Sequence, residues 1–284
     1  MSHVKDLGRT ALIKATEIRK QLKVKSEDSF NVIDAAIKLS LEVRFVDLPT
    51  IEGLYYPDNL APKILLGNQR PLGRQNFNCA HELGHFVFKH DDKIDIHNFD
   101  QTKNDEERIA DFFASHLLMP QLVTLSAFKK RGLIMSKIKP IEIFKVANYL
   151  EVGYITLLNQ LYFTFRSITK TQYDFLSKIT PKKIRNEIID TDENIELVFV
   201  DEFWTTKPID IRTGDIVHAP LHIYGEGSGL KAIKKESNYI IYQAIKQTSS
   251  SKLTNNKDWA QFVRISEKNY AGLAEYRHLE KEDI

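Results

Sequence analysis

The chain has 284 residues, 42% hydrophobic and 27% charged, a globular balance that excludes a mainly disordered protein and allows one large domain or two ordinary ones. Its 40 Lys and Arg against 38 Asp and Glu leave a formal net charge of +2, which excludes the strongly basic signature of a nucleic-acid-binding protein. One cysteine excludes a disulfide framework and a multi-thiolate metal site, and it fits a reducing compartment. No run approaches the roughly 18 apolar residues of a spanning helix, and the start lacks the features of a secretory leader. The expected location is the cytoplasm, with no membrane partner.

Residues 5–23 carry Leu7, Ala11, Leu12, Ala15, Ile18 and Leu22 at helical spacing. A second helix is expected from about Ser29, through Val32, Ile33, Ala36, Ile37 and Leu39. The period then changes to short strands at 43–46, 53–56 and 64–66, punctuated by Pro49, Pro57 and Pro62. The pattern predicts a helix over 74–90 after the Pro71-Leu72-Gly73 turn, then a polar, acidic loop over 91–104 that could border a substrate groove. Another helix runs from about Asp105 to Met119, with acids in its first turn, where they suit the helix dipole, and Pro120 as a stop. Helical periodicity resumes at 121–130 and 141–163. After about residue 170 the signal shifts towards strands, at 195–200, 215–218 and 239–245, with Ser249-Ser250-Ser251 and Asn255-Asn256 as a surface loop. The expected organisation is α+β. A domain over 1–125 holds the small sheet, 126–168 form a helical subdomain, and 169–284 form a β-rich domain that senses a signal or binds a partner protein.

His81-Glu82-Leu83-Gly84-His85 matches H-E-x-x-H. Histidines at i and i+4 share one face of a helix, so both imidazoles can reach one metal ion, and Glu82 projects beside them to accept a proton from water. Two surface histidines on an amphipathic helix are the competing reading. Against it, Phe77, Ala80, Leu83, Phe86, Val87 and Phe88 make this helix apolar on most sides, and buried imidazoles and a carboxylate need partners.

A catalytic zinc site needs a third protein ligand and one open position. A histidine six residues after His85 is not available, because Asp91 stands there. The next helix offers Glu106 and Glu107, with Asp111 four residues after Glu107. Spacing favours Glu107 as the ligand, with Asp111 on the same face accepting an imidazole N–H; Glu106 lies about 100° round the helix and has no such partner. The alternative is that all three acids simply favour the helix N-terminus.

The run from Arg74 to His85, then Glu107 to Ala114, then Leu117-Leu118-Met119-Pro120, in that order, resembles the ImmA/IrrE family of metallopeptidases. Gly53, Ile64-Leu65-Leu66 and Pro71-Leu72-Gly73-Arg74 also fit its pattern, so the likeness spans roughly residues 10–125. The resemblance implies a zincin-like N-terminal domain, Zn2+ on His81, His85 and Glu107, and Glu82 as general base. Asp111 stands where the family often has Asn, and Ile109 where many members have an acid. The resemblance further implies limited proteolysis of a helix-turn-helix repressor of a mobile element or stress response, hence a role in transcription regulation. Tyr55, Tyr56 and Arg74 are oxyanion-stabilising candidates by family-like position alone.

Other residues fall outside this set. Cys79 is roughly 200° round the helix from His81, His90 is rotated away from His85 on a continued helix, and His97 lies in the acidic loop. His116 is on the far face of its helix from Glu107. Residues 143–161 resemble a helix-turn-helix, yet 154–163 contain no Lys or Arg, which argues against direct DNA binding. A different class of function remains as the alternative, a regulatory protein with a structural zinc site that docks a repressor or DNA without cutting. Glu82 favours the enzyme, since a purely structural site has no need of a base.

Overall fold

The computed structural model describes residues 2–58, 60–90, 104–189 and 195–280. The acidic loop with His97 lies outside the described residues, apart from Asn104. The chain divides into two compact units, Met1–Val123 with Asn269–Glu275, and Thr124–Lys268 with Tyr276–Ile284. It is mixed α and β throughout, with three four-stranded sheets among the described residues. No helix among them is long and apolar enough to cross a membrane.

In the first unit, α1 (Ser2–Gln21) buries Ala11, Ala15 and Ile18, one stripe at i, i+4 and i+7. Helix α2 (Val32–Lys38) begins later than Ser29 because Asn31 takes the cap, its side chain accepting the Asp34 N–H at 3.0 Å. Strands β1 (Glu42–Val46) and β3 (Lys63–Gly67) run parallel, with Val43 opposite Ile64 and Phe45 opposite Leu66, all four buried. Strand β2 (Gly53–Tyr56) is antiparallel to β3 and forms one edge of the sheet. A late return of the chain, Gly272–Leu273, adds a fourth strand antiparallel to β1.

Helix α3 (Leu72–Phe88) ends where Lys89 adopts a left-handed conformation, φ 56° and ψ 45°, two residues before the end expected at 90. It packs on α2, β2 and β3 and against α4 (Asp105–Leu118). Helix α4 is capped by Asn104, whose side chain accepts the Glu107 N–H at 2.9 Å. Helix α1 lies along α4, and the buried Arg19 guanidinium donates to the Leu117 carbonyl at 3.1 Å, satisfying an acceptor of the last turn.

Helix α5 (Gln121–Lys130) spans the division between the units. In the second unit, α6 (Pro140–Leu150) and α7 (Tyr154–Asn159) are joined by a tight turn through Glu151, φ 55°. The second of them continues as a wider turn over Gln160–Thr164. Ile143, Val146, Ala147, Leu157, Leu158 and Leu161 are buried. Two further helices, α8 (Lys170–Leu176) and α9 (Pro181–Ile189), occupy the stretch between about 170 and the first expected strand at 195–200, for which the sequence pattern names no element. Thr169 and Gln172 form a reciprocal capping box at the start of α8, and Pro181 opens α9.

Strands begin only at β4 (Leu197–Phe199), which joins β6 (Ile216–Pro220), β9 (Tyr239–Ala244) and β8 (Leu230–Lys235) in the order β4-β6-β9-β8. The other sheet has the order β5-β11-β10-β7, from β5 (Ile209–Arg212), β11 (Ala260–Ser266), β10 (Thr248–Thr254) and β7 (Tyr224–Glu226). The expected surface loop at Ser249-Ser250-Ser251 is therefore part of a strand. Ser251 is fully buried, and its hydroxyl accepts the Gly229 N–H at 3.0 Å.

Candidate metal centre

Helix α3 supplies His81, Glu82 and His85, and α4 supplies Glu107 and Asp111, all within the first unit. The crossing of the two helices passes through Gly84, where an added Cβ would stand 3.1 Å from the Ala110 Cα. At that separation Glu107, three residues before Ala110, reaches across to both imidazoles. Its Oε2 lies 3.2 Å from His81 Nε2 and its Oε1 3.2 Å from His85 Nε2, while the two Nε2 atoms are 3.0 Å apart. Among the described residues, His81, His85 and Glu107 form the one group of potential ligands with all their ligand atoms within 4.8 Å of one another.

The far sides of the rings are also engaged. His81 Nδ1 lies 3.0 Å from Asp111 Oδ1; an ionised carboxylate only accepts, so the imidazole is the donor there. His85 Nδ1 lies 2.8 Å from His90 Nδ1. The His81 and His85 side chains are only 15% and 12% exposed. Burial alone would lower the His81 imidazole, but the carboxylates of Asp111, Glu107 and Glu82 outweigh it and lift it to about 10. Glu82 sits beneath β2, where its Oε1 is 2.7 Å from the place a Cβ on Gly53 would take, and it accepts the Tyr55 backbone N–H. Burial pushes its carboxyl up, and Glu107 adds to the push, against the pull of the two imidazoles and that N–H.

This donor set fits a divalent cation. Among the described residues, three carboxylates surround two imidazoles, and with His81 Nδ1 donating to Asp111, the His81 Nε2 lone pair, the His85 Nε2 and the Glu107 carboxylate face one point. Acceptors converging in a half-buried site require a proton or a metal. Two imidazole nitrogens and one carboxylate are the ligand types of a catalytic zinc site with a position left open.

Residues outside the group fall into place by packing. Cys79 is fully buried in the core, and His116 lies in the last turn of α4, where burial lowers its imidazole. Neither belongs to the group, and nor does Glu106. The Arg74 guanidinium is held by Glu52 at 2.5 Å, the Tyr55 ring packs edge-on against Phe86, and Tyr56 is 48% exposed. His90 is the residue whose position a helical wheel misplaces. The helix stops at Phe88, and the left-handed Lys89 brings the ring of His90 back onto His85. The signal that could have located it is the loss of apolar periodicity after Phe88.

A comparison with curated proteins finds no match. Among solved structures, the chain is similar to a Mycobacterium tuberculosis transcriptional regulator, with 19% identity and a TM-score of 0.36. That likeness covers 55% of this chain and spans 47% of the length of the other. A family model for the IrrE N-terminal-like domain (peptidase M78) matches residues 36–162, just under half of the chain, and includes both helices of the candidate centre. Over those residues the chain is similar to an ImmA/IrrE-family metallopeptidase domain.

Proposed function

We propose that the protein is a zinc-dependent endopeptidase that makes limited cuts in a cytoplasmic protein, with a helix-turn-helix repressor of a mobile element or stress response as the substrate class. The observation that carries this reading is the convergence of His81, His85 and Glu107, with the Glu82 carboxylate beside them. Bound to His81, His85 and Glu107, zinc supplies a Lewis acid that polarises a scissile carbonyl and makes water more acidic.

The chain's own residues do the rest. Glu82 takes the proton from the attacking water on a carboxylate oxygen and passes it to the leaving amine nitrogen. The raised affinity of this buried carboxyl for a proton suits both halves of that transfer. Asp111 accepts the His81 Nδ1–H and holds that ring with Nε2 facing Glu107. The outer edge of β2, beside Glu82, offers backbone groups to which an extended substrate segment can pair. Helix α7 carries no Lys or Arg and buries Tyr154, Leu157 and Leu158, which supports a packing role for the helix-turn-helix-like segment over DNA contact.

The test compares new protein N-termini in cells producing wild type or Glu82→Gln, with zinc content measured in both. The expected result is equal zinc and a cut present only with wild type. Identical N-terminal profiles with zinc bound in both would favour the non-cleaving regulatory protein.

A further inference from the structure

The geometry points to His90 as a positioning residue of the metal centre, accepting the Nδ1–H of His85 and thereby holding His85 with its Nε2 lone pair directed at the cation site. This inference rests on the metal reading above and extends it to a residue outside the H-E-x-x-H motif and its third ligand.

A neutral imidazole has one donor and one acceptor nitrogen. If His85 binds a cation through Nε2, its proton sits on Nδ1 and needs an acceptor. The group 2.8 Å from that atom is His90 Nδ1. His90 then carries its own proton on Nε2. It is not a fourth ligand, because it meets His85 on the side of the ring away from Nε2 and does not belong to the His81, His85 and Glu107 group.

The local chain is built to hold this contact. Lys89 closes the helix in the left-handed region, with its N–H bonded to the Phe86 carbonyl at 3.1 Å and the His90 N–H bonded to the His85 carbonyl at 3.0 Å. The His90 ring stacks on Phe88 at 5.8 Å with an interplanar angle of 19°, and Phe88 packs edge-on against the buried Phe113 of α4. The ring plane is thus fixed from below while its edge meets His85 at 65°.

The centre gives each histidine its own Nδ1 partner, Asp111 for His81 and His90 for His85. The two differ in charge. Glu82, Glu107 and Asp111 already place three carboxylates around the site, and an imidazole acceptor orients the second ligand without adding a fourth. Partners of this kind typically contribute about 10- to 100-fold to metal affinity.

Zn2+ and Co2+ titrations of the full chain test the inference in wild type, His90→Phe, His90→Asn and Glu107→Ala, with melting of the metal-free forms as the folding control. Phe keeps a ring on Phe88 but accepts nothing, whereas the Asn amide oxygen restores an acceptor near the Nδ1 position. The expected result is Zn2+ binding about 10- to 100-fold weaker in His90→Phe, recovery in His90→Asn, and a shift of the visible Co2+ bands in His90→Phe alone. His90→Phe binding Zn2+ as tightly as wild type overturns the inference, and so does an equal loss in both His90 variants. Failure of the metal reading itself looks different: wild type binds no Zn2+, or Glu107→Ala binds it as tightly, and the inference then falls with that reading.

Discussion

Gly84 of α3 stands so close to Ala110 of α4 that a Cβ on the glycine would lie 3.1 Å from the Ala110 Cα and 3.2 Å from the Phe113 ring. His81 and His85 flank this crossing on one helix, and Glu107 precedes it by three residues on the other. The missing side chain therefore sets the distance at which Glu107 meets both imidazoles. Gly84→Val forces a branched side chain into the contact and pushes α4 away. The expected outcome is a loss of about 1–3 kcal/mol of stability together with weaker zinc binding, measured by melting and by metal titration. Wild-type zinc affinity in this variant would contradict the role given to the crossing.

Gly53 has a different task. A Cβ there would sit 2.7 Å from Glu82 Oε1 and 3.1 Å from its Cγ, so Gly53→Ala displaces the proposed base. Misplacing a reacting group by about 1 Å can lower a rate by about 100-fold. The expected variant keeps its melting temperature and its zinc while cleavage falls by that order. Loss of zinc in parallel with activity would show that Gly53 supports the whole centre.

In the second unit, Lys207 and Glu151 form an ion pair of 3.0 Å with side chains 3% and 10% exposed. Burial pushes Glu151 up to about 7 even though the Lys207 ammonium opposes it, and burial lowers Lys207 in turn. Lys207→Met removes the ammonium beside a buried carboxylate, with an expected loss of about 3–5 kcal/mol. Adding Glu151→Gln should recover part of it. Chemical denaturation of the three variants checks this, and a change below about 1 kcal/mol in Lys207→Met would contradict a structural role for the pair.

His218 provides a pH dependence with a defined sign. Its ring lies between Phe199 and Tyr239, at 4.7 and 4.5 Å, and burial, reinforced by the Lys145 ammonium, pushes it down to about 4. An unfolded histidine titrates near about 6.5, so between these values the unfolded chain binds a proton that the folded chain refuses. Stability from this source is complete above pH 6.5 and is lost as pH falls towards 4. Melting temperatures across that window should fall less steeply in His218→Gln than in wild type. Parallel slopes would contradict the assignment.

Much of the first unit was legible because its signals are local. The spacing of His81 and His85, the acids after Asn104 and the stop at Pro120 each act within one helix, and α4 forms over nearly the predicted span. Features that depend on a distant partner were not legible. Gly272–Leu273 becomes a strand only by pairing with β1, and Ser249–Ser251 read as a loop because they are polar and the ladder of β10 with β11 is irregular between Thr248 and Ser251. Helices α8 and α9 carry start signals at Thr169 and Pro181, but they are short, and the apolar pattern within them is too sparse to outweigh the strand signal beyond. His90 was hidden by a single backbone angle at Lys89.

The most direct test of the account is anomalous diffraction at the zinc edge from crystals grown with Zn2+. The predicted result is one peak bonded to His81 Nε2 and His85 Nε2 at about 2.0–2.1 Å and to the Glu107 carboxylate, lost in Glu107→Ala and kept in Glu106→Ala. A peak on other residues, or one that disappears with Glu106 and survives without Glu107, would contradict it.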